Sequence, residues 1–211
     1  MMLPRMTFLK DAENRETFLK RIAQFYPTLD SRYQEIERAY DTAKTAFRGK
    51  FREDGTRYFE HLRAVALIMI VWLRIKDHRL IIAGLLHDLV EDDPKWTIAR
   101  VQIEFGNEVA CWLEWVSKPG MKGYRSKEER DDWYHQRMKN APREVFLIKL
   151  PDRLHNTITL WGCSVEKRLR KIAETKLHYL PFAEDHQILY HELVEALAIL
   201  EKPKRRASRR R

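Results

Sequence analysis

Apolar residues along this chain come in compact runs, and the strict apolar–polar alternation of a half-buried strand is scarce. Residues 65–73 form the longest purely apolar run, and residues 80–90 are apolar around almost the whole circumference of a helix, interrupted by His87 and Asp88. A helix with no polar face belongs in the interior. The first run is far shorter than the ~20 apolar residues that cross a bilayer, so it is expected to be a core helix. Ser31 with Gln34 and Ser126 with Glu129 have capping-box spacing, Asp77 and Asn107 precede helical patterns, and Asn140 precedes Pro142 at a favoured first-turn position. Stops fall at Pro27, Gly55, Pro94, Gly106, residues 119–123 and Gly162. The elements predicted are helices over 12–25, 31–47, 58–75, 78–92, 96–105, 107–117, 126–139, 142–160, 164–179 and 182–200. This is an all-α domain without internal repeats.

Length and charge refine that picture. A chain of 211 residues suits one domain of ordinary size, expected over 1–201 and followed by a basic tail over 202–211. The formal charge of +9 invites a nucleic-acid reading, but the last ten residues carry seven basic side chains and no acidic one, leaving 33 basic against 31 acidic elsewhere. The body is therefore nearly neutral, and only the tail is a candidate contact for RNA, DNA or another polyanion; the alternative is a solvated end without a partner. Cys111 and Cys163 lie far apart, which gives neither a disulfide framework nor a cysteine zinc site and fits a reducing, cytoplasmic location. Oligomeric state is not legible.

Candidate chemistry concentrates where polar groups enter apolar sequence. Burying an ionised Asp88 costs several kcal/mol unless a cation compensates, and His87 beside it can offer a neutral nitrogen ligand. Glu91 and Asp92 follow four residues after His87 and Asp88, which on an unbroken helix stacks them on the same side. Carboxylates crowded in this way call for a cation, and phosphate-ester hydrolysis needs acid and base groups near it. A second element is His61 entering the apolar run, and a third is KLPDRLHN at 149–156, where Asp152 and Asn156 share a face. Each fragment alone reads equally as structure; the ordered set, His then His-Asp then Asp, does not.

That order resembles the metal site of the HD superfamily. More specifically, REDGTRYFEH at 52–61, HDLVED at 87–92, FGNEVACWLEWVSK at 105–118, KLPDRLHN at 149–156 and ETKLHYLPFA at 174–183 resemble the hydrolase domain of RelA/SpoT homologues, over roughly 40–185. The resemblance implies an HD-type bundle of about nine or ten helices with a buried metal site. It also implies manganese-dependent removal of the 3′-diphosphate from guanosine tetra- or pentaphosphate, by a stand-alone small alarmone hydrolase. Carried over by motif, His61, His87, Asp88 and Asp152 would hold the metal, Glu91 and Asp92 would orient and deprotonate water, and Asn156 would assist. Arg52 would lie against the guanine base, with Thr159 and Tyr179 as further nucleoside contacts. Mixed imidazole and carboxylate donors suit manganese, iron or zinc.

The chain departs from the family pattern at several positions. Pro151 stands where an Ala is usual and is expected to kink or break its helix, displacing Asp152. Leu62 and Arg57 replace usual prolines, and Glu53 replaces a usual basic residue near the nucleotide, which leaves adenine alarmones open. Also open are an HD nucleotidase acting on deoxynucleotides or other phosphate esters, and a non-catalytic nucleotide sensor. For Arg52, Thr159 and Tyr179 the competing reading is an ordinary structural residue; for His155, near Asp152, it is packing or support of the site.

Overall fold

The computed structural model describes residues 3–10 and 13–201. Among them are twelve α-helices and no strand, only an isolated bridge between Phe51 and Arg57. The order is α1 (Arg15–Ile22), α2 (Ser31–Ala46), α3 (Tyr58–Leu67), α4 (His78–Leu86), α5 (Leu89–Asp92), α6 (Ile98–Phe105) and α7 (Asn107–Val116). It continues with α8 (Lys127–Met138), α9 (Arg143–Thr159), α10 (Val165–Glu174), α11 (Leu180–His186) and α12 (Tyr190–Glu201). The tail, and the start of the first helix expected at residue 12, lie outside the described residues.

The two apolar runs sit where their composition sends them. Residues from Leu80 to Leu86 on α4 are all buried, and α4 packs against α2, α3, α7 and α9. α3, α4 and α9 contact one another in all three pairings, so the centre of the molecule is a three-helix junction. Gly84 permits the closest approach: a Cβ there would lie 2.4 Å from Met69 Sδ. The apolar run after α3 ends in a π-helical turn, Ile68–Trp72, before Arg74 takes a left-handed conformation.

Several expected helices are divided. The 78–92 helix breaks after Leu86, with His87 and Asp88 forming a turn before α5. The Gly84 carbonyl, which an unbroken helix would offer to the Asp88 amide, accepts the Nδ1 of the His87 ring at 2.8 Å. The 182–200 helix is split because Gln187 and Leu189 are both left-handed, a turn that buries Ile188 and Leu189 in the core. The 164–179 helix switches to a π turn at Thr175–Tyr179. Conversely, α9 runs unbroken through Pro151 from Arg143 to Thr159, against expectation. Burial of α9 against five other helices outweighs the ~3 kcal/mol a proline costs inside a helix. Caps also shift: Asp30 rather than Ser31 caps α2, Gly106 rather than Asn107 caps α7, and Pro142 rather than Asn140 precedes α9.

Candidate active site

The three-helix junction carries the candidate ligands. His61 comes from α3, His87 and Asp88 from the turn after α4, and Asp152 from α9. Their facing atoms form a closed ring: His61 Nε2 to Asp152 Oδ1 3.2 Å, Asp152 Oδ1 to His87 Nε2 3.6 Å, His87 Nε2 to Asp88 Oδ2 3.2 Å, and Asp88 Oδ2 to His61 Nε2 3.7 Å. Donors ~2.1 Å from one ion stand ~3.0–3.5 Å apart at octahedral to tetrahedral angles; His61, His87 and Asp88 offer ligand atoms all within 4.8 Å of one another, a group that could hold one metal ion, with Asp152 beside both imidazoles. His61, His87 and Asp152 are 2%, 1% and 4% exposed.

Two hydrogen bonds set which nitrogen of each imidazole faces the ring. His87 Nδ1 lies 2.8 Å from the Gly84 carbonyl, which can only accept, so the proton is on Nδ1 and Nε2 presents its lone pair. That Nε2 is fully buried and makes no hydrogen bond. A lone pair beside two carboxylate oxygens needs positive charge between them, and this orphaned nitrogen is the observation that makes the residues fit a divalent metal. In the absence of an ion a proton meets the same demand: burial lowers the ring's affinity for it, but Asp88 and Asp152 prevail and lift His87 to about 10, so a metal on Nε2 would take that proton's place. For His61, Nδ1 lies 2.8 Å from His155 Nδ1. Arg52, which can only donate, approaches that same His155 nitrogen at 3.5 Å, so His155 accepts, His61 donates, and His61 Nε2 also points a lone pair inward. Burial holds both His61 and His155 below the usual imidazole range.

Each carboxylate in the ring is held from behind. Tyr58 donates to Asp88 Oδ2 at 2.9 Å, Lys149 Nζ meets Asp152 Oδ2 at 2.9 Å, and Asn156 Nδ2 donates to Asp152 Oδ1 at 2.5 Å. Burial would raise Asp152, yet Lys149 and the two imidazoles keep it well below the carboxylate range. Glu91 and Asp92 take a different course. They lie on the short α5 at the site's rim, where both side chains reach solvent, and the Asp92 amide donates to the Asp88 carbonyl at 3.0 Å, so the four-residue helical spacing persists there. Crowding by protein, with Asp88 nearby, pushes both above the usual carboxylate range. Glu91 Oε1 also accepts the Lys118 amide at 2.8 Å, which fixes its direction.

The ring's two carboxylates, Asp88 and Asp152, line a cleft of about 300 Å³ together with Glu91, Asn156 and a wall of cations that includes Lys118, Lys127, Arg130 and Lys171, while His61 and His155 line another recess of about 200 Å³. Arg52 stands at the edge of the cleft, where its guanidinium donates to Asn156 Oδ1 at 2.9 Å and Thr159 Oγ1 at 3.1 Å. The loop before α3 presents it through Arg52 N to the Thr56 carbonyl, 2.8 Å, and Tyr58 N to the Lys50 carbonyl, 2.9 Å. A neighbouring recess of about 290 Å³, lined by Phe51, Arg52, Glu53, Asn156 and Thr159 among others, adjoins it. A larger cavity of about 780 Å³ lies elsewhere, against α2, where Arg15 is already paired with Glu37 and Asp41.

The structure thus brings together His61, His87, Asp88, Asp152, Asn156, Arg52 and Thr159, with Glu91 and Asp92 at the rim. Tyr179 is not in the cleft lining; it is 1% exposed, under the Arg153 guanidinium at 3.8 Å from the ring centre. Tyr58 and Lys149 were passed over in the sequence. Lys149 could have been found, since it precedes Asp152 by three residues on a helix and a buried lysine needs a carboxylate. Nothing local to Tyr58 announces Asp88, its partner from another helix.

Comparison with known proteins agrees with this geometry. Residues 39–189 match the HD domain family. The guanosine-3′,5′-bis(diphosphate) 3′-pyrophosphohydrolase of Aquifex aeolicus is 38% identical over 170 residues, covering 80% of this chain and 23% of that protein. The protein of the same name from Haemophilus influenzae is 39% identical over 144 residues, 67% of this chain and 21% of its own length. The bifunctional (p)ppGpp synthase/hydrolase SpoT of Escherichia coli is 34% identical over 178 residues, 83% and 24%. The chain therefore spans only 21–24% of the length of these relatives. A solved structure described as a metazoan ortholog of SpoT that hydrolyzes ppGpp and plays a role in starvation responses is similar at a TM-score of 0.68 and 25% identity, covering 78% of this chain and 94% of that one. An all-helical fold among the described residues, candidate ligands in the order His, His-Asp, Asp, and a match over residues 39–189 establish that the chain belongs to the HD domain family.

Proposed function

We propose that this chain is a metal-dependent pyrophosphohydrolase that removes the 3′-diphosphate from guanosine tetra- and pentaphosphate, giving GDP or GTP and pyrophosphate. The observation that carries the reading is the ring of His61, His87, Asp88 and Asp152, whose two carboxylates line a cation-walled cleft, so that a candidate cation site adjoins a polyanion site. The relatives' names and the solved neighbour's ppGpp hydrolysis support the choice of substrate. Manganese is the proposed ion, on the mixed nitrogen and oxygen donors and the family resemblance, and the cytoplasm is the proposed location.

A divalent ion in the ring would supply Lewis-acid charge at the phosphate oxygens. The chain's own residues do the rest. Glu91 and Asp92, with proton affinities raised toward neutrality, orient the attacking water and take its proton. Lys149 and Asn156 hold Asp152 in register, and Tyr58 does so for Asp88. Arg52, its fork braced by Asn156 and Thr159, offers a flat cationic face to the base. Tyr179 would act on the nucleotide only through Arg153, which covers it. The test is incubation with guanosine and adenosine nucleotides bearing a 3′-diphosphate, with manganese and with products separated by chromatography. Pyrophosphate release that chelation abolishes is expected; no product from any 3′-diphosphate would overturn the proposal.

A further inference from the structure

One carboxylate, Glu174 at the end of α10, gathers three cations from three parts of the fold. Its oxygens lie 3.1 and 3.4 Å from the two terminal nitrogens of Arg153 on α9, 2.6 Å from Lys171 Nζ on its own helix, and 3.6 Å from Lys118 Nζ after α7. A second carboxylate paired with these side chains is Asp131, shared between Lys118 at 3.1 Å and Arg130 at 2.7 Å. Four cations therefore face two carboxylates, and all four cations line the cleft. Burial and Arg153 hold Lys171 below its usual range, as expected where positive charge is in surplus. A purely structural network would balance its charges when most of it is buried, and the Glu174 side chain is only 13% exposed.

We propose that Lys118, Arg153 and Lys171, positioned by Glu174, form an anion subsite that takes a phosphate chain other than the one being hydrolysed. It rests on the proposed function for its substrate, and the chemistry admits two sources: the 5′-phosphate chain of the nucleotide, or the pyrophosphate released. Arg153, its fork held by Glu174, supplies a fixed positive charge in the cleft wall, and the two lysines supply point charges, a usual complement for phosphate groups. Because Lys118 also holds Glu91 through its amide, an anion here is seated beside Glu91, in the cleft that Arg52 also lines.

Calorimetric titration with inorganic pyrophosphate in the presence of a chelator reads the subsite without catalysis. Wild type is expected to bind, and Lys171→Ala to bind about tenfold or more weakly, the loss of one charge-assisted contact. Lys171→Arg should recover most of the affinity, separating charge from packing, and Glu174→Gln should weaken binding while circular dichroism follows its fold. Kinetics on guanosine 3′-diphosphates with a 5′-hydroxyl, diphosphate or triphosphate then distinguish the sources. If the 5′ chain sits here, Lys171→Ala raises KM about tenfold for the 5′-phosphorylated substrates only, with a smaller change in kcat; if the product sits here, KM holds and product inhibition weakens by that factor. Absence of chelator-resistant pyrophosphate binding, or binding indifferent to both Lys171→Ala and Lys118→Ala, overturns the subsite. Binding without turnover of any 3′-diphosphate overturns the proposed function and leaves the subsite standing.

Discussion

An imidazole can ligate a metal through one nitrogen only if its other nitrogen carries the proton, and His61 depends on His155 for that arrangement. Replacing His155 by Leu should therefore cost about 10–100-fold in manganese affinity by titration calorimetry, although no ligand atom is removed. Unchanged affinity would mean that His61 needs no orienting partner. Asp88→Ala removes a ligand outright, and turnover should vanish while far-ultraviolet circular dichroism keeps its helical signal; retained metal-dependent activity would sink the site assignment. The candidate ligands could be picked out in the sequence because the ordered set, His then His-Asp then Asp, places imidazole and carboxylate groups in otherwise apolar surroundings. Their supports divide: the Gly84 carbonyl and Lys149 lie three residues from His87 and Asp152 along the chain, whereas Tyr58 becomes a partner of Asp88 only when α3 meets the turn after α4, and a one-dimensional pattern carries no distance between helices.

At the scale of elements, two glycines mark where backbones approach too closely for a side chain. Gly162 follows α9, and a Cβ there would stand 2.4 Å from Asp54 Cβ and 3.2 Å from its Cα, so the loop bearing Arg52 would have to retreat. Gly162→Ala is expected to leave the protein folded, at a cost of ~1–3 kcal/mol. It should lower kcat/KM about tenfold or more through misplacement of Arg52, measured by steady-state kinetics beside a thermal melt. Unchanged kinetics would show that this loop does not position the nucleotide. At Gly84 the obstacle is the Met69 side chain, and Gly84→Ala should be destabilising unless Met69 is shortened in the same molecule. Most helices were legible from caps and apolar runs; their breaks were not. The turn at His87 is decided by a side chain competing for a backbone acceptor, and the intact helix through Pro151 by the packing around α9. In each case tertiary contacts overrode a local rule.

Across the whole molecule the cleft's cations are underpinned by a buried imidazole that no acid serves. His135 is 3% exposed, stacks on His178 with ring centres 3.8 Å apart, and has no hydrogen bond at either nitrogen. Its nearest carboxylate, Glu174 at 3.7 Å, is already committed to Arg153 and Lys171. Burial, then His178 and Lys118, push His135 down to about 4. Between that value and the ~6.5 of an unfolded histidine, the unfolded chain binds a proton that the native protein refuses. Stability from this group is therefore complete above ~6.5 and falls as pH drops toward 4, with a slope of at most ~1.4 kcal/mol per pH unit. His178 is lowered in the same direction and adds to the trend, whereas Glu174, held low by its cations, contributes its loss only further into acid. The urea midpoint should accordingly decline between pH of about 6.5 and 4.5. His135→Phe, which keeps a ring against His178, should flatten that decline; an equal slope in the variant would assign the acid sensitivity to other groups. Burial, with the same surplus of positive charge that would suit the cleft to a polyphosphate, thus keeps a histidine beneath it neutral, so the proposed affinity for an anion and the loss of stability in acid are coupled through one cluster.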